Sequence, residues 1–157
     1  QTVYGIYNSQ YKDERMNTQI AYDSYFGTTV NQILIQTIKD KKLIIYGDEN
    51  VTIYITEIND LLRGIEKVLK EFRKIEGYKK IAVFSEKIKI HNIIKISKRE
   101  LEKKNIIMQI ELLKDKVSKI PMTNHISFID NTKKFEECCG NIVSELLSMN
   151  KSEEVVA

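Results

Sequence analysis

Tryptophan is absent, proline occurs once and glycine six times in 157 residues, which leaves no room for a collagenous repeat or a Pro/Gly-rich disordered segment. No apolar run approaches the roughly 20 residues that span a bilayer as a helix, so no membrane partner is expected. The only cysteines, Cys138 and Cys139, are adjacent and cannot join in an ordinary disulfide. The two histidines, His91 and His125, stand apart without ligand spacing, so no metal is expected. No G-x-G-x-x-G or G-x-x-G-x-x-G turn follows a first strand, so nothing offers a phosphate-cradling helix start to a dinucleotide. No tyrosine is followed four residues later by lysine as an acid-base pair: Tyr4 leads to Asn8, Tyr7 to Tyr11 and Tyr46 to Asn50.

What is present suits one folded domain. With 42% hydrophobic and 30% charged residues, a chain of this length buries roughly two thirds of its surface. A net charge of +3 and a pI of 8.7 are mildly basic, and the lysines are strewn along the chain, as at 39–42 and 79–80. A basic stripe interleaved with aromatics is missing, so no nucleic-acid partner is expected. The domain is expected over 1–150, with 151–157 a disordered tail, in a cytoplasmic protein. The opening at Gln1 has no basic-then-apolar leader and is read as a cut within a longer chain.

Strand and helix patterns alternate. Gln1–Tyr4 reads as a short strand and 7–23 as a loop. Val30, Ile33, Leu34 and Ile38 share a face of a helix over Tyr25–Ile38, entered after Gly27. Leu43–Tyr46 and Val51–Ile55 read as strands about a turn at 47–50. Ile58, Leu61, Leu62, Ile65, Val68, Leu69 and Phe72 keep helical spacing, with Thr56 as the expected N-cap. Lys80–Phe84 is expected as a buried strand, Ile90–Lys103 as a helix and Ile106–Leu112 as a strand. Ile120–Pro121 fits an extended segment, because the residue before proline avoids helical backbone. A closing helix over Lys133–Met149 puts Phe135, both cysteines, Ile142, Val143, Leu146 and Leu147 on one apolar face, where the thiols behave as small hydrophobes.

Two linked segments, DSYFGTTVNQILIQTIKDKK and LIIYGDENVTIYITEINDLLRGI, resemble the substrate lobe of the extended short-chain dehydrogenase/reductases (NAD-dependent epimerase/dehydratases), most like the UDP-sulfoquinovose synthases. In that family a Phe-Gly-Thr turn opens a helix with an inward Asn, and the helix runs into a Leu-x-x-Tyr-Gly strand beside the nucleotide sugar. The matching residues are Phe26-Gly27-Thr28, Asn31 and Leu43 to Gly47. The resemblance implies an α/β C-terminal substrate-binding lobe whose N-terminal Rossmann half is absent. It implies substrate contacts at Thr28, Asn31, Tyr46 and Gly47, with no catalytic or cofactor-binding residue in this chain. The opening QTVYG is similar to the strand that leads from the cofactor domain into that lobe. NAD is implied for the complete enzyme, in which UDP-glucose is oxidised, takes up sulfite and is reduced again.

Departures from the family pattern bear on binding. Val51, Thr52 and Ile53 stand where the family has Gln-x-Arg, and Pro121 leads to Met122-Thr123-Asn124 where a second arginine follows. Val83-Phe84 runs straight into Ser85-Glu86, without the family's intervening Asn-Gln pair. Losing one bidentate arginine on a diphosphate costs about 2 to 5 kcal/mol. UDP-sugar binding is therefore expected to be weak and the chain alone inactive; the alternative is a non-catalytic remnant or interaction module. The apolar face over Ile58–Phe72 and the strand Leu43–Tyr46 are expected to need cover from a Rossmann half or from self-association.

Overall fold

The computed structural model describes residues 2–5, 28–71, 73, 77–78, 81–113, 129–130 and 132–154. The expected loop over 7–23, the Ile120–Pro121 segment, Met122 to Asn124, and Phe26, Gly27, Phe72 and His125 lie outside them. Among the described residues the chain is α/β, with five strands in two small sheets and four helices.

Strand β1 (Thr2–Tyr4) pairs parallel with β3 (Thr52–Glu57), setting Tyr4 opposite Glu57. On the other side of β3, β4 (Glu86–Lys89) runs antiparallel, with Ile53 opposite Ile88. The second sheet is a parallel pair, β2 (Lys42–Tyr46) and β5 (Gln109–Leu113). Residues 47–50 thus carry the chain from one sheet to the other.

Helix α1 (Thr29–Asp40) buries Val30, Ile33, Leu34 and Thr37, a stripe at three-four spacing. Lys41 ends it in left-handed backbone (φ 53°), its N–H donating to the Thr37 carbonyl at 3.0 Å, and β2 runs back along the helix. Helix α3 (Ile90–Glu102) buries Ile93, Ile94 and Leu101. Helix α4 (Phe135–Glu154) contributes Phe135, Cys138, Cys139, Ile142 and Val143 to the core, with Leu146 and Leu147 packed at its margin. It runs on to Glu154, four residues into the segment 151–157 expected as a tail. No helix among the described residues is long and apolar enough to cross a membrane.

Three expectations are corrected. Residues 81–84 form no strand; the strand is the polar segment β4, because Ile88 alone needs to reach the core while the backbone pairs with β3. The strand expected over Ile106–Leu112 starts only at Gln109, since Asn105 in left-handed backbone (φ 60°) ends the turn after α3. Helix α2 (Ile58–Glu71) is capped not by Thr56 but by Glu57. The Glu57 carboxylate accepts the Asn59 N–H at 2.9 Å and the Asp60 N–H at 3.2 Å, while the Thr56 hydroxyl donates to the Val83 carbonyl.

The apolar stripe of α2 is not the face it buries. Its buried residues are Asp60 and Gly64, while Leu62, Ile65 and Leu69 are exposed, Leu69 to 69%. Gly64 explains the orientation: a Cβ there would lie 2.7 and 2.8 Å from the two γ-methyls of Val83, so the helix backbone rests directly on that side chain. Gly64→Ala would gain about 1 kcal/mol in helix propensity, but the overlap falls on a stiff β-branched side chain and costs more. The expected net loss is about 1 to 2 kcal/mol by urea denaturation. A stabilised variant would mean that the approach of α2 to Val83 is not tight.

Candidate functional site

Topology brings the four expected contact residues to one end of the molecule. Thr28 and Asn31 lie at the start of α1, Tyr46 and Gly47 at the carboxyl end of β2, and the single-residue reversal at Lys41 puts the two ends on the same side. In open α/β sheets, the carboxyl ends of the parallel strands are where ligands bind. Thr28 occupies the N-cap position, but its hydroxyl makes no cap bond; it donates to the Val3 carbonyl at 3.0 Å and ties α1 to β1. Asn31 is half-buried. Gly47 has φ 105°, backbone that side-chain-bearing residues avoid, and its N–H donates to the Leu113 carbonyl at 3.0 Å, continuing the β2–β5 ladder.

Ile53, expected from the resemblance to stand where an arginine lies in that family, packs against the core opposite Ile88. An arginine side chain there would point into apolar surroundings. Of that trio Val51 is exposed, and Thr52 lines the groove described below.

Sequence reasoning missed a buried polar cluster at the carboxyl ends of β1 and β3. The Ser85 hydroxyl accepts the Glu57 N–H at 2.8 Å and donates to the Asp60 carboxylate at 2.5 Å. The same carboxylate accepts the Lys133 N–H at 3.2 Å and pairs with the Arg63 guanidinium. Thr132 donates to the Ser85 carbonyl at 2.7 Å, and the Phe135 N–H donates to Glu86 at 2.9 Å, which caps α4. The available signal was Glu57-x-x-Asp60 ahead of a helical pattern, the spacing of a helix start.

Beside this cluster the Tyr4 side chain is fully buried, and its hydroxyl finds no hydrogen-bond partner among the described residues. Burial, then the neighbouring Cys138, Glu57, Glu86 and Asp60, push it well above the ordinary phenol range. Burial also pushes the Cys138 thiol up to about 11 and the Cys139 thiol up to about 12. Both cysteines are free, and near neutral pH they stay protonated, so neither serves as a nucleophile there. No group of three or more His, Cys, Asp or Glu side chains among the described residues could hold a metal ion. The cluster is built to fix backbone: it joins β3, α2, Ser85 and the start of α4.

A broad open groove of 890 Å³ lies elsewhere, between β4, the outer face of α3 and the first turn of α4. It is lined by none of Thr28, Asn31, Tyr46 and Gly47. Volume alone does not make it the nucleotide-sugar site, since its walls are lysine-rich and its floor is limited to Ile88 and Ile96.

No family model matches the chain, and no curated protein does either. Among solved structures it is similar to the UDP-N-acetylglucosamine 4-epimerase from Methanobrevibacter ruminantium M1, determined in complex with UDP-N-acetylmuramic acid. The TM-score is 0.63 at 16% identity, over 94% of this chain and 44% of that one. The chain shares the fold of part of that epimerase. It spans less than half of the epimerase's length.

Proposed function

We propose that the chain is the C-terminal, nucleotide-sugar-binding lobe of an extended short-chain dehydrogenase/reductase, with Thr28, Asn31, Tyr46 and Gly47 at the sugar-nucleotide contact. What supports this reading is the fold shared with a UDP-sugar-binding epimerase, combined with Thr28 and Asn31 at the start of α1 and Tyr46 and Gly47 at the carboxyl end of β2. In the complete enzyme a Rossmann half supplies NAD and the hydride chemistry, and a reaction of the sulfoquinovose-forming kind is the finer expectation. The exposed stripe of Leu62, Ile65 and Leu69 on α2 is surface that such a half, or a second copy, would cover. A second reading, a non-catalytic remnant, is favoured by Ile53, which turns toward the core where the family's arginine reaches a diphosphate.

The two readings separate in a nitrogen-15 NMR titration of the chain with UDP-glucose. Weak binding, with a dissociation constant of about 1 mM, is expected to move the amides of Thr28, Asn31, Tyr46 and Gly47. NAD is expected to move none of them, and Asn31→Ala should abolish the response to UDP-glucose. Silence at all four positions at saturating UDP-glucose would favour the remnant.

A further inference from the structure

We propose that the groove between β4 and α3 binds an acidic peptide in extended conformation, which adds to β4 as a further strand. Alternate residues of a strand point to opposite faces, yet the groove touches Glu86, Lys87, Ile88 and Lys89 in succession. The groove therefore follows the line of β4, where its backbone groups are, and at one end also reaches Thr52 of β3, opposite Lys89. Strand β4 is the edge of its sheet, which has the order β1-β3-β4 among the described residues.

The register identifies which groups face outward. Ile90 donates its N–H to the Val51 carbonyl, so the alternate positions Ile88 and Glu86 turn their backbone toward β3. The N–H and C=O groups of Lys87 and the N–H of Lys89 lie along the outer edge, while the Lys89 carbonyl, at the N-cap of α3, serves the first turn of that helix. An added strand would satisfy them, as in other edge-strand recognition of peptides.

Charge selects the sequence of that strand. The groove's three carboxylates are engaged: Glu86 caps α4, Glu136 pairs with Arg99 at 2.8 Å and Glu102 lies 3.9 Å from Lys98. Lys89, Lys95 and Lys134 line the groove without an ion pair among the described residues. Lys87 and Lys89 share one face of β4, Lys87 lying over the Tyr54 ring at 5.7 Å. Lys95 and Lys134 approach from α3 and the start of α4, so acidic residues on either face of a peptide meet a lysine. Single-stranded nucleic acid is a poorer match, because among the described residues no aromatic side chain lines the groove to stack a base.

The test is fluorescence anisotropy of the full chain with a fluorescein-labelled peptide of alternating Glu and Val, run beside the same peptide N-methylated at alternate residues. Micromolar binding of the first is expected, with about tenfold weaker binding of the second, since methylation removes the donors that pair with β4. Lys89 has φ −76° and ψ 142°, values that proline adopts, and its N–H faces outward, so Lys89→Pro deletes one edge donor within the native backbone. Lys89→Pro is expected to bind about fivefold more weakly than Lys89→Ala. Lys95→Glu with Lys134→Glu should weaken binding at least tenfold, with circular dichroism unchanged. Equal affinity for the two peptides, no binding of the first, or its displacement by oligo-dT or UDP would overturn the proposal. The peptide comparison on the unmutated chain decides the matter should Lys89→Pro fail to fold.

Discussion

Phe135→Ala is expected to destabilise the chain by about 3 to 5 kcal/mol, read as a lowered urea midpoint. Phe135 is fully buried at the first position of α4, and its ring meets that of Tyr4 edge to face, with centroids 5.4 Å apart and planes at 78°. Tyr4 lies on β1 and Phe135 on α4, so the contact joins the first strand to the last helix across the core. Truncation leaves a cavity beside a tyrosine hydroxyl that already has no partner among the described residues. Phe135→Leu fills most of the space and should lose less than half as much. A loss under about 1 kcal/mol for the alanine variant would mean that α4 does not hold β1 in place.

Asp60→Ala is the second large effect, with an expected loss of about 2 to 4 kcal/mol. Asp60 is 1% exposed, and its carboxylate serves the Ser85 hydroxyl, the Lys133 N–H and Arg63. Alanine leaves the buried Ser85 hydroxyl without an acceptor, which costs about 1 to 3 kcal/mol, and the Lys133 N–H, on an exposed residue, adds a smaller loss. Arg63 adds little to the loss, because it is half-exposed and water takes over its solvation. Asp60→Asn keeps one acceptor oxygen and should lose about half as much. Equal losses for the two variants would contradict the hydrogen-bond account.

Helices α1, α3 and α4 were legible because their apolar residues keep three-four spacing and the faces so marked are the ones buried. The position of α2 was equally legible, but its orientation was not. The side it presents is set by Gly64 against Val83 and by Asp60 against Ser85, contacts between segments that local pattern does not connect. For the same reason the apolar run at 81–84 read as a strand, while the polar Glu86–Lys89 became one by pairing with β3. Thr28, expected as a substrate contact, stands at the N-cap position of α1 and spends its hydroxyl on β1, a partner 25 residues away. Of the cluster of Glu57, Asp60 and Ser85, only the Glu57-x-x-Asp60 spacing stands in the sequence, because Ser85 joins it from a separate segment.

Every fully buried anchor of α2 sits in its first half. Asp60 and Gly64 hold that part to Ser85 and Val83, and no later residue of the helix is buried. The helix is thus a lever fixed at one end. Its opening free energy should fall along its length, with amide protons after Gly64 exchanging with solvent sooner than those at 58–64. Whatever covers Leu62, Ile65 and Leu69 would slow the exchange of the distal turns most, so the protection of those amides reports occupancy of the stripe without a label placed on it.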